Sequence, residues 1–269
     1  MKPLQYVARI EQIEIELTQL NASRSLVEVP RQLEVQRLGQ CILLRDPGDP
    51  APGYYNRVKG LGPADLHRLD EVLACYPHTS PLLDLTPDQM KEEVAAELSR
   101  RGFIPVEQLV FMQTKPVFLA ELTEVTAEPR VTVERVHAGN AGEYVRWIAD
   151  SMGGKVLSPE MVERSRDYFY RPDFLNYMIS IDGQPAAMGS LFVCGQEGYI
   201  TNDYTFAAFR GRGLQTALLN HRLRDAAERG LTNVYTDVVF GSVSHANMEK
   251  AGFRTAFLNT FWMKPEKVI

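Results

Sequence analysis

A glycine-containing turn between an apolar strand and a helix constrains this chain more than any other feature. The strand ends before Gly211 and Gly213, and a helical apolar pattern begins at Leu214. Glycine lets the backbone turn tightly and approach a ligand without a Cβ in the way. The first N–H groups of the helix have no internal partner, and with the helix dipole they form an anion site. Because Arg210 and Arg212 add positive charge, the turn predicts a ligand that carries phosphate.

The turn does not match two common phosphate-binding motifs, which limits the kind of phosphate ligand that it predicts. A Walker loop needs Gly-Lys-Ser/Thr at the start of the helix, where this chain has Gly213-Leu214-Gln215. A dinucleotide fingerprint needs three spaced glycines, and only Gly211 and Gly213 are present. The remaining alternative for the turn taken alone is an ordinary basic turn that opens a surface helix.

Length and charge limit the function classes. The chain has 269 residues, of which 45% are hydrophobic, and this is enough for one large domain or two small ones. The formal net charge is −5, so a nucleic-acid backbone is not expected as the main partner.

Cysteine usage and hydropathy predict a cytoplasmic protein. The N-terminal residues have no secretory hydrophobic region, and no apolar run is long enough to span a membrane. The three cysteines are far apart and match no metal-ligand or disulfide pattern. We therefore expect reduced thiols, no bound metal, no membrane partner, and a monomer or homodimer.

Apolar periodicity predicts a regular order of elements in the second half of the chain, namely β-α-α-β-β-β-α-β-α-β. An antiparallel meander leads into the glycine-containing turn at residues 210–213, which is called the phosphate turn below. The helix after this turn connects to a parallel strand. The predicted strands cover residues 131–136, 174–181, 186–194, 199–206, 234–239 and 256–263, and the helices cover 141–152, 159–170, 214–229 and 242–251.

The first half of the chain echoes the second. The Gly102-Phe103 pair and the Gly252-Phe253 pair each follow an amphipathic helix, and each precedes a strand with a Phe at the same spacing. Residues 53–57 also echo residues 198–202 loosely. The pattern predicts two related domains, residues 1–120 and 121–269, joined through residues 115–130. The predicted elements of the first half are helices at 9–20, 64–75 and 86–98, and strands at 40–45, 54–58, 82–85 and 104–113.

The turn and the closing segment together resemble a known family. Arg210, Gly213 and Gln215 fit the pattern Arg-x-x-Gly-x-(Gly/Ala) except for Gln in the last place, and residues 242–253 resemble the family's closing motif. The chain resembles the GCN5-related N-acetyltransferases (GNAT family) over residues 131–265. The resemblance implies a mixed α/β fold, the GNAT acyl-CoA N-acyltransferase fold, with a central sheet flanked by helices. It extends to a tandem arrangement with a degenerate first domain, in which Lys59-Gly60-Leu61-Gly62-Pro63 stands in place of the phosphate turn.

The resemblance implies transfer of an acetyl group from acetyl-CoA, as co-substrate, to a primary amine of a small molecule or a protein. A non-catalytic acyl-CoA-binding or regulatory module is the alternative. In the family, strand residues before the turn pair with the pantetheine arm, and helix N–H groups hold the pyrophosphate. Carried over by position, the cofactor-binding residues are Tyr204, Thr205, Phe206, Ala207, Arg210, Gly211, Arg212, Gly213, Leu214, Gln215, Thr216 and Asn247.

Two family positions that bear on the catalytic residues differ in this chain. The family often has a Glu near the position of Tyr199, and the carboxylate closest to the turn here is Asp203. The family's Tyr acid is replaced by Met248, which leaves Ser244 or His245 as substitutes. The alternatives are that Asp203 is a hydrogen-bonded structural residue and that His245 is a surface residue. Four aromatic residues either line an acceptor pocket or pack in the core, and these are Trp147, Tyr168, Phe169 and Tyr170.

Overall fold

The computed structural model describes residues 4–49, 51, 53–116 and 131–265. Within these residues, the first half of the chain contributes three helices and five strands. The helices are α1 (Val7–Ser23), α2 (Leu69–Ala74) and α3 (Glu92–Arg100), and the strands are β1 (Glu34–Leu38), β2 (Cys41–Arg45), β3 (Arg57–Lys59), β4 (Leu82–Leu85) and β5 (Ile104–Thr114).

The second half has the predicted order of helices and strands. Its elements are β6 (Thr132–Arg135), α4 (Ala141–Ser151), α5 (Pro159–Arg166), β7 (Phe174–Ile181), β8 (Gln184–Cys194), β9 (Glu197–Thr205), α6 (Leu214–Glu228), β10 (Asn233–Val239), α7 (Val243–Lys250) and β11 (Arg254–Met263). Short 3-10 helices lie at Pro63–Arg68, Asp167–Tyr170 and Ala207–Phe209.

Most predicted elements are confirmed within a few residues, and the differences have local causes. Strand β1 was not predicted, because its residues are mostly exposed and carry no apolar alternation. Helix α3 begins at Glu92 rather than at residue 86, because the Thr86 carbonyl accepts hydrogen bonds from the N–H groups of Gln89 and Met90 and so closes a separate turn. The predicted connection at residues 115–130 lies almost entirely outside the described residues.

All described strands form one sheet in the order β1-β2-β3-β4-β11-β5-β10-β9-β8-β7-β6. The last strand of each half crosses into the other half. Strand β11 pairs with β4 on one side and β5 on the other, and β5 continues to β10. All of these pairings are antiparallel. The two halves therefore share a continuous ladder of backbone hydrogen bonds, not a contact of side chains alone.

The exchanged strands reveal an approximate twofold relation between the halves. Phe261 lies opposite Asp84 on β4, and Phe111 lies opposite Asp237 on β10. The amide of Phe103 bonds the carbonyl of Leu98, as the equivalent amide after Gly252 bonds that of Met248. This confirms the tandem repeat. The looser echo between residues 53–57 and 198–202 is out of register. Arg57 pairs with the residue two before Asp84, and Tyr199 pairs with the residue two before Asp237, so the structure makes Arg57 equivalent to Tyr199.

Three apolar cores hold the layers together. One core packs α1, α4 and α5 on the same face of the sheet, and this is called the α1 face below. Ile10, Ile13 and Leu17 of α1 pack there with Trp147 and Phe174 of the second half. A second core lies under α6 and α7 on the opposite face, and a third belongs to the first half. Helix α1 therefore covers part of the second domain. Among the described residues, no helix is long and apolar enough to cross a membrane.

Candidate active site

The phosphate turn has the geometry that its glycines predict. Gly211 and Gly213 adopt φ angles of 77° and 73°, in the left-handed region that favours glycine. The first backbone hydrogen bond into α6 runs from the N–H of Ala217 to the carbonyl of Gly213, at 3.0 Å. Gly213 is the N-cap residue and has no side chain to satisfy the N–H groups of residues 214–216. These groups are therefore available to an anion.

Two arginines in this turn carry charge that no carboxylate offsets. Arg210 Nε donates to the carbonyl of Thr205 at 3.2 Å, and Arg212 Nη2 donates to that of Ala208 at 3.5 Å. No Asp or Glu oxygen of the described residues lies within 4.0 Å of either guanidinium. Both side chains are exposed. Donors and cations thus surround the turn, as a pyrophosphate requires.

A cleft of about 560 Å³ begins at this turn. It brings together most of the predicted cofactor-binding residues, namely Tyr204, Thr205, Arg210, Gly211, Gly213, Leu214, Gln215, Thr216 and Asn247. Phe206, Ala207 and Arg212 do not line it. The ring of Phe206 instead meets Trp147 edge-on with centroids 6.2 Å apart. Their predicted contact with a cofactor stays a prediction.

Gln215, which departs from the family pattern, connects α6 to α7. Its Oε1 accepts a hydrogen bond from Asn247 Nδ2 at 2.7 Å, and its Nε2 lies 3.4 Å from Ser244 Oγ. Gln215 and Ser244 line both this cleft and a second cavity of about 380 Å³. The two spaces are thus adjacent, and a ligand bound at the turn can extend from one to the other.

The second cavity lies where β9 and β10 separate. Their parallel pairing ends at Tyr199 and Tyr235, after which Thr236 Oγ1 donates to the carbonyl of Ile200 at 3.1 Å. Strand β9 also bulges, because its register with β8 jumps between Met188 and Ser190. Asn202 sits in this bulge with a φ of 57°. A bulge re-aims side chains and removes backbone groups from the ladder, which is common beside active sites.

Asp203, the predicted proton acceptor, is held by a buried arginine. Arg222 is fully buried and forms a two-point ion pair with the Asp203 carboxylate, with Nη1 3.1 Å from Oδ2. The same guanidinium donates to the carbonyls of Leu218 and Ser190. A Cβ at Gly189 would lie 2.9 Å from Arg222 Nη1, so glycine makes room for this pair. The arrangement favours the structural interpretation of Asp203, and its catalytic role stays a prediction.

The two residues predicted as substitutes for the missing acid differ in position. Ser244 lines both cavities. His245 lines neither. Its Nδ1 accepts from the N–H of Gly241 at 3.2 Å, and its ring packs 5.5 Å from that of Phe240. Met248, in the family's Tyr position, is buried and faces the second cavity.

Asp237 is a candidate residue that sequence reasoning missed. It lines the cavity between the separated strands, and its Oδ1 accepts a hydrogen bond from the Tyr199 hydroxyl at 2.6 Å. The pKa of Asp237 is raised to about 6, mainly by burial and then by the charge of Glu14, while the Tyr199 hydrogen bond and the charges of Arg57 and Lys59 oppose the rise. The available signal was a lone carboxylate in an otherwise uncharged strand. That pattern alone does not distinguish a cavity wall from a buried ion pair.

The first domain has the matching strand pair, but it is closed. There β3 and β4 stay paired through Lys59 and Asp84. Lys59 Nζ forms an ion pair with Asp84, which also accepts from Asn259 Nδ2 at 2.6 Å. Both charged side chains are fully buried. In place of a phosphate turn, Gly62 is extended and Pro63 starts a short 3-10 helix.

The aromatic residues predicted for an acceptor pocket divide into two groups. Trp147 and Phe169 are buried in the core under the α1 face. Tyr168 and Tyr170 are only partly buried, and the Tyr170 hydroxyl donates to Asp167 at 2.7 Å. Two of these four residues are thus part of the core.

Comparison with solved structures defines the class of fold. A GCN5-related N-acetyltransferase from Kribbella flavida superposes with a TM-score of 0.63 at 15% identity, covering 94% of this chain and 95% of the other. A tandem GNAT protein from the clavulanic acid biosynthesis pathway superposes with a TM-score of 0.56 at 16% identity, covering 94% of each chain. The chain therefore has the tandem GNAT fold.

Part of the sequence matches a family model. Residues 143–253 match the acetyltransferase (GNAT) family, so the second half of the chain carries a domain of this family. No curated protein matches the sequence. The family supports acyl transfer as the class of reaction. Among the described residues, no cluster of His, Cys, Asp or Glu has the arrangement of a metal site.

Proposed function

We propose that the second domain transfers an acetyl group from acetyl-CoA to a primary amine, and that Asp237 accepts the proton from the amine. The observation that carries the proposal is the adjacency of two spaces: the cleft that starts at the phosphate turn borders the cavity that contains the Asp237 carboxylate. This arrangement puts an anion site and a potential base along one path, which Asp203 also lines.

The fit of acetyl-CoA rests on the residues around the turn. Its pyrophosphate matches the free N–H groups at the start of α6 and the charges of Arg210 and Arg212. The thioester end would then lie toward the separated strands. Gln215 and Asn247, already linked by a hydrogen bond of 2.7 Å, present amide groups along that path.

The chemistry requires a neutral amine. Its nitrogen attacks the acetyl carbon, the carbon–sulfur bond breaks, the amine loses a proton and the thiolate of CoA gains one. A base with a pKa of about 6 is ionised at neutral pH and still has useful basicity. Asp237 meets this requirement better than Asp203, whose carboxylate is committed to Arg222. Ser244 is the hydroxyl that lines both spaces and is our candidate to deliver a proton to the thiolate.

The alternative of a non-catalytic acyl-CoA-binding module has one observation in its favour. Met248 occupies the position where the family often has a tyrosine, and a thioether cannot donate a proton. Both functions predict binding of acetyl-CoA. Release of free CoA that depends on an added amine separates them.

The test compares Asp237→Asn with the matched variant Asp203→Asn in a thiol-release assay over a panel of primary amines. We expect Asp237→Asn to lower kcat by about 100- to 1,000-fold with acetyl-CoA affinity unchanged, since a positioned base contributes about that much. We expect Asp203→Asn to act on stability instead, lowering the free energy of unfolding by about 3 kcal/mol because it leaves Arg222 buried and unpaired. Full activity in Asp237→Asn would refute the role of Asp237. Acetyl-CoA binding without amine-dependent CoA release would support the non-catalytic alternative.

A further inference from the structure

Arg24, at the C-terminal end of α1, is a cation with no acidic partner beside the candidate active site. Its Nε donates to Asn21 Oδ1 at 2.7 Å, and its Nη2 donates to Asn202 Oδ1 at 3.1 Å. Both acceptors are neutral amide oxygens. No carboxylate of the described residues lies within 4.0 Å of the guanidinium. An arginine normally offsets its charge with an acid when it leaves bulk water.

The guanidinium is held in place by aromatic rings. Its central carbon lies 5.3 Å from the ring centroid of Phe169 and 5.1 Å from that of Phe174. Both distances are within the range of a favourable cation–π interaction. Burial lowers the pKa of Arg24, and the charges that oppose this fall belong to the hydroxyls of Tyr144, Tyr54 and Tyr55. The cation is thus oriented and partly desolvated without being neutralised.

Arg24 is linked directly to the reacting region through Asn202. Asn202 sits in the bulge of β9, lines the cavity with Asp237, and donates its Nδ2 to Ser190 Oγ at 3.2 Å. Arg24 reaches this bulge from the α1 face, where Tyr199 and Asp237 also point, whereas the phosphate turn opens into α6 on the other face. An amine that approaches Asp237 from the α1 face would pass Arg24.

On the basis of the proposed acetyl transfer, we propose that the acceptor carries a carboxylate as well as its primary amine, and that Arg24 binds that carboxylate. A planar guanidinium matches a carboxylate in a two-point hydrogen-bonded pair. The class of acceptor is therefore an amino acid or a molecule with a comparable amino and carboxylate group, rather than a polyamine or an aminoglycoside, whose further cations Arg24 would repel.

The inference is tested with matched acceptor pairs that differ only by a carboxylate, such as tyrosine and tyramine or lysine and cadaverine. Wild-type protein, Arg24→Gln and Arg24→Lys are compared with Arg146→Gln, which removes an exposed arginine from α4. We expect wild type and Arg146→Gln to prefer the carboxylate member of a pair in kcat/KM. Arg24→Gln should reduce that preference by about 10- to 100-fold, mainly through KM, because a hydrogen bond to a charged group is lost. Arg24→Lys should recover part of it.

The outcomes separate this inference from the proposed function. If acetyl-CoA does not bind, the proposed function fails and Arg24 has no acceptor to select. If amines are acetylated with no advantage for the carboxylate members, or with the same advantage in Arg24→Gln, the role of Arg24 is refuted and acetyl transfer stands. Acetyl-CoA binding with no turnover of either member of any pair also counts against it. A thermal melt of each variant checks that Arg24→Gln is folded, since an effect through folding would change both members of a pair equally.

Discussion

The two halves of the molecule contain equivalent parallel strand pairs, and only one of them opens. In the first domain, β3 and β4 stay paired through the aspartate, and Lys59 fills the space beside Asp84. In the second domain, pairing ends at Tyr199 and Tyr235, two residues before Asp237, and a cavity takes the place of the ion pair. The same fold thus holds one aspartate as a structural ion and leaves the other exposed to a cavity.

Three residue differences account for the contrast. Counting along the strands, Thr201 stands where the first domain has Lys59, Tyr199 stands where it has Arg57, and Leu109 stands where it has Asn259. Each exchange removes a cation or a hydrogen-bond donor from the neighbourhood of the aspartate. Asp84 therefore has charged and amide donors, whereas Asp237 has the Tyr199 hydroxyl and a raised pKa. We infer that loss of these partners is what makes Asp237 available for proton transfer.

The largest effect is expected from putting the lysine back. Thr201→Lys should form an ion pair with Asp237 and close the cavity, which lowers kcat by about 1,000-fold through loss of the base. The assay is amine-dependent CoA release at saturating acetyl-CoA. Thr201→Met is the control, because it adds similar length without charge. Equal losses in the two variants would mean that bulk, not charge, separates the two strand pairs.

The reverse change in the first domain should affect stability and not activity. Lys59→Met removes one of the two buried cations that pair with Asp84 and Glu14 and leaves only Arg57, so the free energy of unfolding should fall by about 3 kcal/mol in a urea titration. Lys59→Met/Asp84→Asn should recover much of that loss because it removes a buried charge. Acetyl-CoA affinity should stay the same in both variants. A new acetyl-CoA site in either one would show that the lysine alone keeps the first domain closed.

A smaller effect is expected from Leu109→Asn, which copies the amide of Asn259 into the cavity beside Asp237. Asp237 must be ionised to accept a proton, so kcat/KM should fall as the pH drops below about 6 in the wild type. An amide donor favours the carboxylate and lowers its pKa, which moves this acid limb to lower pH by about one unit. A pH–rate profile measures the shift, and Leu109→Met serves as the apolar control. An unmoved limb in Leu109→Asn would assign the limb to another group.

The sequence predicted the parts of the fold that depend on local chemistry. Gly211, Gly213 and the helix that begins at Leu214 mark the phosphate turn, and their backbone preferences act within a few residues. The order of elements in the second half followed from apolar periodicity. The repeat of Gly102-Phe103 and Gly252-Phe253 correctly indicated two related halves.

Features that depend on distant pairing could not be predicted in the same way. Strands β5 and β11 each pair with strands of the other half of the chain. The apolar pattern of each strand would be the same if it paired within its own half, so the pattern does not predict the exchange. The role of Asp237 depends on the residue beside it on the neighbouring strand. Only the strand pairing of the folded chain shows that Thr201 occupies the position equivalent to Lys59. For the same reason Asp203 was the candidate base, since its partner Arg222 lies on a helix and approaches only in the folded chain.

The most direct test of the central claim is an isothermal titration of acetyl-CoA into the purified chain and into Arg210→Ala/Arg212→Ala. The contrast between an open and a closed strand pair predicts one acetyl-CoA bound per chain, with binding lost or much weakened in the double variant. Two acetyl-CoA molecules per chain, or one whose affinity survives the double substitution, would contradict the assignment of the cofactor to the second domain. No binding by the wild type would remove acetyl-CoA from the account altogether.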